Sequence, residues 1–194
     1  MLIQTMFCIN KKFFLLLTFI FLFSGCSLTK LVRPTPKELD NSMNQLSIML
    51  QELNASIDRG EAIDLAKEVI LYSNRLSKKY DVVSPPLWHN TLVNIGLKKR
   101  GLCYEWVDDL LEYLHQKRYQ TLEFYYVGAN IDGYFEHNAI SVSAKGMGFG
   151  DGLLLDAWRG SGNLYFTKIK EDKKYMWENR EDIYKLTFPH LKRW

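Results

Sequence analysis

The sequence predicts an α+β fold in which N-terminal helices pack on an antiparallel β-sheet. Apolar residues recur at alternating three- and four-residue steps in the first half of the chain, and from Leu122 onward the period changes to two. The length, 194 residues, suits one such domain over residues 36–194 with a single core.

The chain opens on Lys11 and Lys12, the apolar run Phe13 to Phe23, and Ser24-Gly25-Cys26, which is the charged, apolar and small-residue order of an export signal. Thr18 interrupts the run, which falls short of the roughly 20 apolar residues that a spanning helix needs. Residues 1–25 are therefore expected to leave as a signal peptide. Phe23-Ser24-Gly25-Cys26 resembles the lipobox of bacterial lipoproteins, although Leu22 stands one place before the usual Leu position. That resemblance implies acylation of Cys26, a lipid-anchored tether over residues 26–35 and, through Ser27, the periplasmic face of the outer membrane. An ordinary signal followed by an unmodified Cys26 is the alternative.

Formal charge is +3 for the whole chain, and loss of Lys11 and Lys12 with the leader lowers it to +1. A balance so near zero gives no reason to expect nucleic acid or an anionic membrane surface as a partner. Of the three cysteines, Cys8 leaves with the leader and Cys26 carries the lipid, so Cys103 remains as a lone thiol. In an oxidising compartment such a thiol is either buried and inert or kept for its reactivity.

Thr35-Pro36-Lys37-Glu38 reads as an N-cap, a first-turn Pro and a capping-box Glu. The stripe Leu39, Met43, Leu46, Leu50, Leu53 and Ile57 then predicts a helix running to a turn at Asp58-Arg59-Gly60. This stripe is either a face packed on its own domain or a short coiled-coil seam for self-assembly. A second helix carries Ile63, Ala66, Val69, Ile70, Ser73 and Leu76 on one side and ends near Tyr80. Ser84-Pro85-Pro86 opens a third, with Leu87, Thr91 and Ile95 on its face and Lys98, Lys99, Arg100 and Gly101 as its dipole-matched, glycine-capped end.

A fourth helix runs from Cys103 to about Gln116, with Val107, Leu110, Leu111 and Leu114 continuing the face that Cys103 begins. Period-two segments follow at Leu122 to Ala129, Glu136 to Ala144, Leu153 to Ala157 and Leu164 to Ile169, and they predict the antiparallel strands. The glycine-rich Gly146 to Gly152 reads as a flexible hairpin loop, not a phosphate loop, since no helix follows it. The tail Glu171 to Trp194 is too aromatic for a disordered segment and is expected to pack back on the domain.

Cys103, His137 and Asp156 are the candidate chemical residues. Thiol acyl transfer needs a thiolate, a base to relay its proton, and a group that fixes the base's ring. A cysteine in the first turn of a helix meets the positive end of the dipole and unpaired N–H groups, which favour a thiolate and can hold an oxyanion. His137 opens a strand, and its ring is expected to project toward the cysteine helix. Asp156 ends the apolar run Leu153-Leu154-Leu155, where an ionised carboxylate is costly without a donor such as an imidazole N–H.

Gly101-Leu102-Cys103-Tyr104-Glu105-Trp106, Glu136-His137-Asn138-Ala139 and Leu155-Asp156-Ala157-Trp158, in that order, resemble the Cys, His and Asp segments of the transglutaminase-like superfamily. The resemblance covers roughly residues 88–166 and departs from the family after the aspartate, where Ala157-Trp158 stands in place of a frequent Pro-Thr. It implies a papain-like core and a cysteine protease or amidase acting on protein or peptide amide bonds, with a cross-linking amine acceptor as a variant. A non-catalytic binding module of the same fold in an envelope complex is the competing implication.

Singly, each residue has a plainer role: Cys103 as buried packing, His137 as a core hydrogen-bonder, Asp156 as a turn-former. Their order and context together favour the catalytic triad. Trp88, Asn90 and Asn94 are candidates for a second oxyanion donor, and Trp158 and Arg159 for the cleft wall. His89, His115, His137 and His190 are scattered, with no His-Glu-x-x-His or Cys-x-x-Cys spacing, so no metal or cofactor is expected. Oligomeric state is open.

Overall fold

A computed structural model describes residues 31–187. The leader 1–25, Cys26, and Phe188 and Trp194 of the tail lie outside the described residues.

Helix α1 (Pro36–Leu53) begins on the expected capping box: Glu38 N donates to Thr35 Oγ1 at 3.3 Å and Thr35 N to Glu38 Oε2 at 2.7 Å. It stops at Leu53, before the expected turn. Asp58 is instead the N-cap of α2 (Arg59–Lys79), its carboxylate accepting from Glu61 N at 2.9 Å, so Arg59 and Gly60 are first-turn residues of that helix. Ile57 is buried all the same, in the connection, whereas Ile63 points outward on α2 and Ala62 and Leu65 take the inner face.

Helix α3 (Pro86–Asn94) is shorter than its pattern suggested and ends before Gly96, which holds a left-handed φ of 78°. Leu87 and Ile95 face out, and the buried member of the helix is His89. The basic triplet is therefore not a helix end. Lys98 pairs with Asp81, and Arg100 bonds Asp109 Oδ1 at 2.7 Å.

Helix α4 (Cys103–His115) follows, then strands β1 (Leu122–Ala129), β2 (His137–Ala144), β3 (Leu153–Asp156) and β4 (Tyr165–Lys168), and finally β5 (Glu178–Asn179) and α5 (Glu181–Thr187). The sheet is antiparallel throughout, in the order β4-β3-β2-β1-β5, so β2 lies in its middle. The α+β expectation of helices on an antiparallel sheet holds, as does each of the four strands to within a residue or two.

One face of the sheet carries Leu122, Phe124, Tyr126, Ile140, Val142, Leu153 and Leu155, and these meet α1, α2 and α4 in the main core. The other face, with Tyr125, Val127, Ala139 and Leu154, is covered by Ile169, Phe149 and Trp177. The described part of the tail thus packs back on the domain, as expected. The glycine-rich segment folds into a short 3-10 turn at Phe149–Asp151, with Phe149 O accepting from Ser141 Oγ at 2.6 Å.

Candidate active site

The turn before Cys103 is held by side chains of the helices around it. Glu105 reaches back to accept from Gly101 N at 2.7 Å and Leu102 N at 3.0 Å. Trp106 Nε1 donates to Gly101 O at 3.0 Å, and the buried His89 donates through Nε2 to Arg100 O at 2.9 Å. Gly101 has φ 127°, and a Cβ there would lie 2.3 Å from His89 Nε2, so only glycine fits the turn. The result places Cys103 as the first residue of a 13-residue helix, where backbone N–H groups have no intrahelical acceptor.

His137 is the first residue of β2, so its side chain stands at the end of the sheet. By alternation along the strand it shares a side with Ala139, on the face that Trp177 covers, and not with Ile140 on the face that meets α4. The expectation that the ring projects toward the cysteine helix across the sheet face is corrected accordingly. The two residues meet at the sheet's end: Cys103 Sγ lies 3.9 Å from Glu136 O, and Cys103 and His137 line one cleft of about 430 Å³. Asn138, which alternation sends to the helix side, places Nδ2 3.8 Å from the same sulfur.

Asp156 ends β3 and is 1% exposed. Its Oδ2 is 2.7 Å from His137 Nε2 and also accepts from Arg159 Nε at 2.9 Å, while Oδ1 accepts from Arg159 N at 2.9 Å. The strand-end Asp and strand-start His are thus adjacent. The turn after Asp156 is fixed against α2, where Ser77 Oγ donates to Ser161 O at 2.9 Å; a Cβ on Gly162 would meet Ser77 Cβ at 2.3 Å.

Behind Asp156 the polar chain continues. The Arg159 guanidinium forks onto Asp172, with Nη1 to Oδ1 at 3.2 Å and Nη2 to Oδ2 at 2.8 Å. Asp172 also accepts from Trp177 Nε1 at 2.9 Å and Lys174 N at 3.0 Å. Imidazole, carboxylate, guanidinium and carboxylate follow one another in nearly full burial, which orients each member through the next. Burial alone would raise Asp172, but Arg159, the Lys174 amide and the Trp177 indole outweigh it and hold the carboxyl below its ordinary value.

Aromatic rings enclose the imidazole, with Trp158, Tyr175 and Trp177 centred 4.7, 4.9 and 5.4 Å from it. Burial presses His137 toward the neutral form. Asp156 and the Cys103 sulfur act against it and prevail, so its pKa is pushed up to about 9. With Nε2 turned to Asp156, the other ring nitrogen is the one left for a proton exchange. His137 Nδ1 is buried and has no hydrogen-bond partner among the described residues.

The structure therefore brings Cys103, His137 and Asp156 together. Of the three candidate oxyanion donors, Asn90 lines the cleft, with its Oδ1 taken by Trp158 Nε1 at 2.9 Å, while Trp88 and Asn94 are not among the lining residues. Trp158 and Arg159 both line it. Sequence reasoning missed Asn138, Asp172, Tyr175 and Trp177. Asn138 stood next to a chosen residue, and the tail's aromatic density was the only sign of the others. Among the described residues no group of three or more His, Cys, Asp or Glu side chains is placed to hold a metal ion. Comparison with family models, curated proteins and solved structures finds no match to this chain.

Proposed function

We propose that this chain is a thiol acyl-transfer enzyme, a transglutaminase-like cysteine protease or amidase acting on protein or peptide amide bonds. The observation that carries the reading is the imidazole of His137, tied at Nε2 to a buried carboxylate and bare at Nδ1 beside the only cysteine thiol of the described domain. A purely structural histidine in so dry a place is expected to satisfy both nitrogens. The export signal and the Cys26 lipobox support a lipid anchor at the periplasmic face of the outer membrane.

Before the reaction, the proton of Cys103 has passed to His137 Nδ1, where it stays at neutral pH, and the sulfur attacks the amide carbonyl as a thiolate. The carbonyl oxygen takes the negative charge, facing the first-turn N–H groups of α4. His137 returns its proton to the leaving nitrogen as the C–N bond breaks, and an acyl thioester and a free amine result. Water then adds with His137 as base, the C–S bond breaks, and carboxylic acid and thiol are regenerated. An amine in place of water makes a new amide bond instead. Asp156 holds the ring, and a His137 that keeps its proton at neutral pH serves the step in which the amine must be protonated.

The test is digestion of a mixed peptide library by the full chain, read as new termini by mass spectrometry, against Cys103→Ala. New termini or new cross-links that vanish in the variant are expected. A native chain that leaves every amide intact and forms no acyl thioester overturns the reading.

A further inference from the structure

Two of the most exposed large apolar side chains sit on the rim of this cleft. Tyr134 is 95% exposed and Phe135 67%, and Leu87 on α3, also lining the cleft, is 59% exposed. The loop between β1 and β2 does not depend on the two rings for its shape. Gly133 N donates to Asn130 O at 2.9 Å, Glu136 N to Gly133 O at 3.0 Å, and Asn130 Nδ2 to Phe135 O at 3.2 Å. Asn130 and Asp132 take the left-handed φ values of 52° and 60° that close it. The loop backbone is thus set by its own bonds and presents Tyr134 and Phe135 to water, edge to face with centroids 4.9 Å apart.

Exposed aromatic area that the fold does not use marks a contact surface, and this patch lines the same cleft as the Cys103 sulfur. Of the cleft's ionic groups, Glu136 and Arg159 are already engaged, and the Lys174 ammonium lies over the Tyr175 ring, 5.2 Å from its centroid. Glu136 accepts from Arg180 Nη1 at 3.0 Å, and Arg159 is shared between Asp156 and Asp172. Selection by charge is correspondingly weak, and selection by apolar contact remains. Cys103 is 9% exposed and His137 2%, so only a thin strand of substrate reaches the sulfur while its side chains lie against the rim.

Resting on the acyl-transfer reading above, we infer that the substrate is an extended, unfolded polypeptide segment with a bulky aliphatic or aromatic side chain next to the bond attacked. That side chain is gripped between the Tyr134-Phe135 arm and Leu87. Tyr134 and Phe135 are specificity residues and take no part in the chemistry.

The experiment uses two matched peptide sets that differ only by Phe or Leu against Ala or Asp at one position. Binding is read by fluorescence anisotropy on the full chain carrying Cys103→Ser, and turnover on the native chain. The apolar peptides are expected to bind about tenfold or more tighter, the low end of what burying such a side chain gives. Tyr134→Ala/Phe135→Ala should shrink the preference to within about threefold, through KM more than kcat. Unchanged far-UV circular dichroism checks that the double variant is folded, and Leu87→Ala gives an independent reading from α3, which also lines the cleft. Equal binding of all peptides, or a preference that survives both variants, overturns the inference. Preferential binding without turnover sustains it and removes the acyl-transfer reading instead.

Discussion

Replacing Arg159 with Met keeps much of the side-chain volume and removes the cation from between two carboxylates. Asp156 and Asp172 have side chains 1% and 2% exposed, and Arg159 is 14% exposed, so water replaces little of what is lost. Three hydrogen bonds go, one from Nε to Asp156 and two from the fork to Asp172, while the backbone amide of residue 159 still donates to Asp156 Oδ1. Removing one partner from a buried ion pair costs about 3–5 kcal/mol. Asp156 keeps His137, and Asp172 keeps Trp177 and the Lys174 amide, which places the expected loss at the lower end, about 3 kcal/mol at pH 7. The sign with pH follows from Asp172. Its carboxyl is held below the ordinary value in the native chain, so its contribution is complete above pH ~4 and fades as pH falls through the depressed value. Urea unfolding of the full chain, followed by tryptophan fluorescence at pH 7 and near pH 3, measures this directly. With an m-value of about 2 kcal/mol/M, the midpoint should drop by about 1.5 M at pH 7 and by clearly less near pH 3. A midpoint that stays put at pH 7, or a loss that does not change with pH, refutes the electrostatic account of the clamp.

Gly101→Ala should destabilise the chain by about 2 kcal/mol or more, because the new Cβ meets His89 Nε2 at 2.3 Å and the backbone sits at positive φ. Thermal unfolding measures the loss, and slower labelling of Cys103 should accompany it. Asp108 lies half-buried on α4 with no partner for Oδ1 among the described residues, and burial pushes its pKa up to about 6. Its ionisation therefore subtracts stability as pH rises from ~4 to about 6, and Asp108→Asn should recover about 1 kcal/mol at pH 7 after allowance for solvent screening. A stability difference that is the same at pH 4 and pH 7 contradicts that cause.

The helices were legible where a local signal had a single meaning. The Thr35 to Glu38 box and the Leu39 to Leu53 stripe place α1 without reference to any other element. At α3 the same reasoning failed, because Lys98, Arg100 and Gly101 imitate a helix end while serving something else. The cations bind Asp81 and Asp109, and the glycine makes room for His89. Those partners are distant in sequence and leave no periodic trace. The strands were readable because their aromatic and β-branched runs are cut by Gly and Asn turns, although β1, β2 and β3 are buried nearly throughout, but β5 has only two residues and no pattern to show.

The three chemical residues were readable from their contexts: a helix start, a strand start and the end of an apolar strand. The face of the sheet that His137 occupies was misjudged, since alternation fixes a side only after the register with β1 and β3 is known. The extension from Asp156 through Arg159 to Asp172 depends on the tail folding back, so neither residue announces it locally.

The reactivity of Cys103 tests the account most directly. Iodoacetamide labelling of the folded full chain, mapped to Cys103 by peptide mass spectrometry, compares native protein with His137→Ala between pH 6 and pH 10. The native thiol should label at least about tenfold faster than the variant near pH 6.5, with the gap closing above about pH 9 as an unassisted thiol ionises. A sulfur that labels equally fast in both proteins, or only after unfolding, contradicts the convergence of thiol, imidazole and carboxylate into one working site.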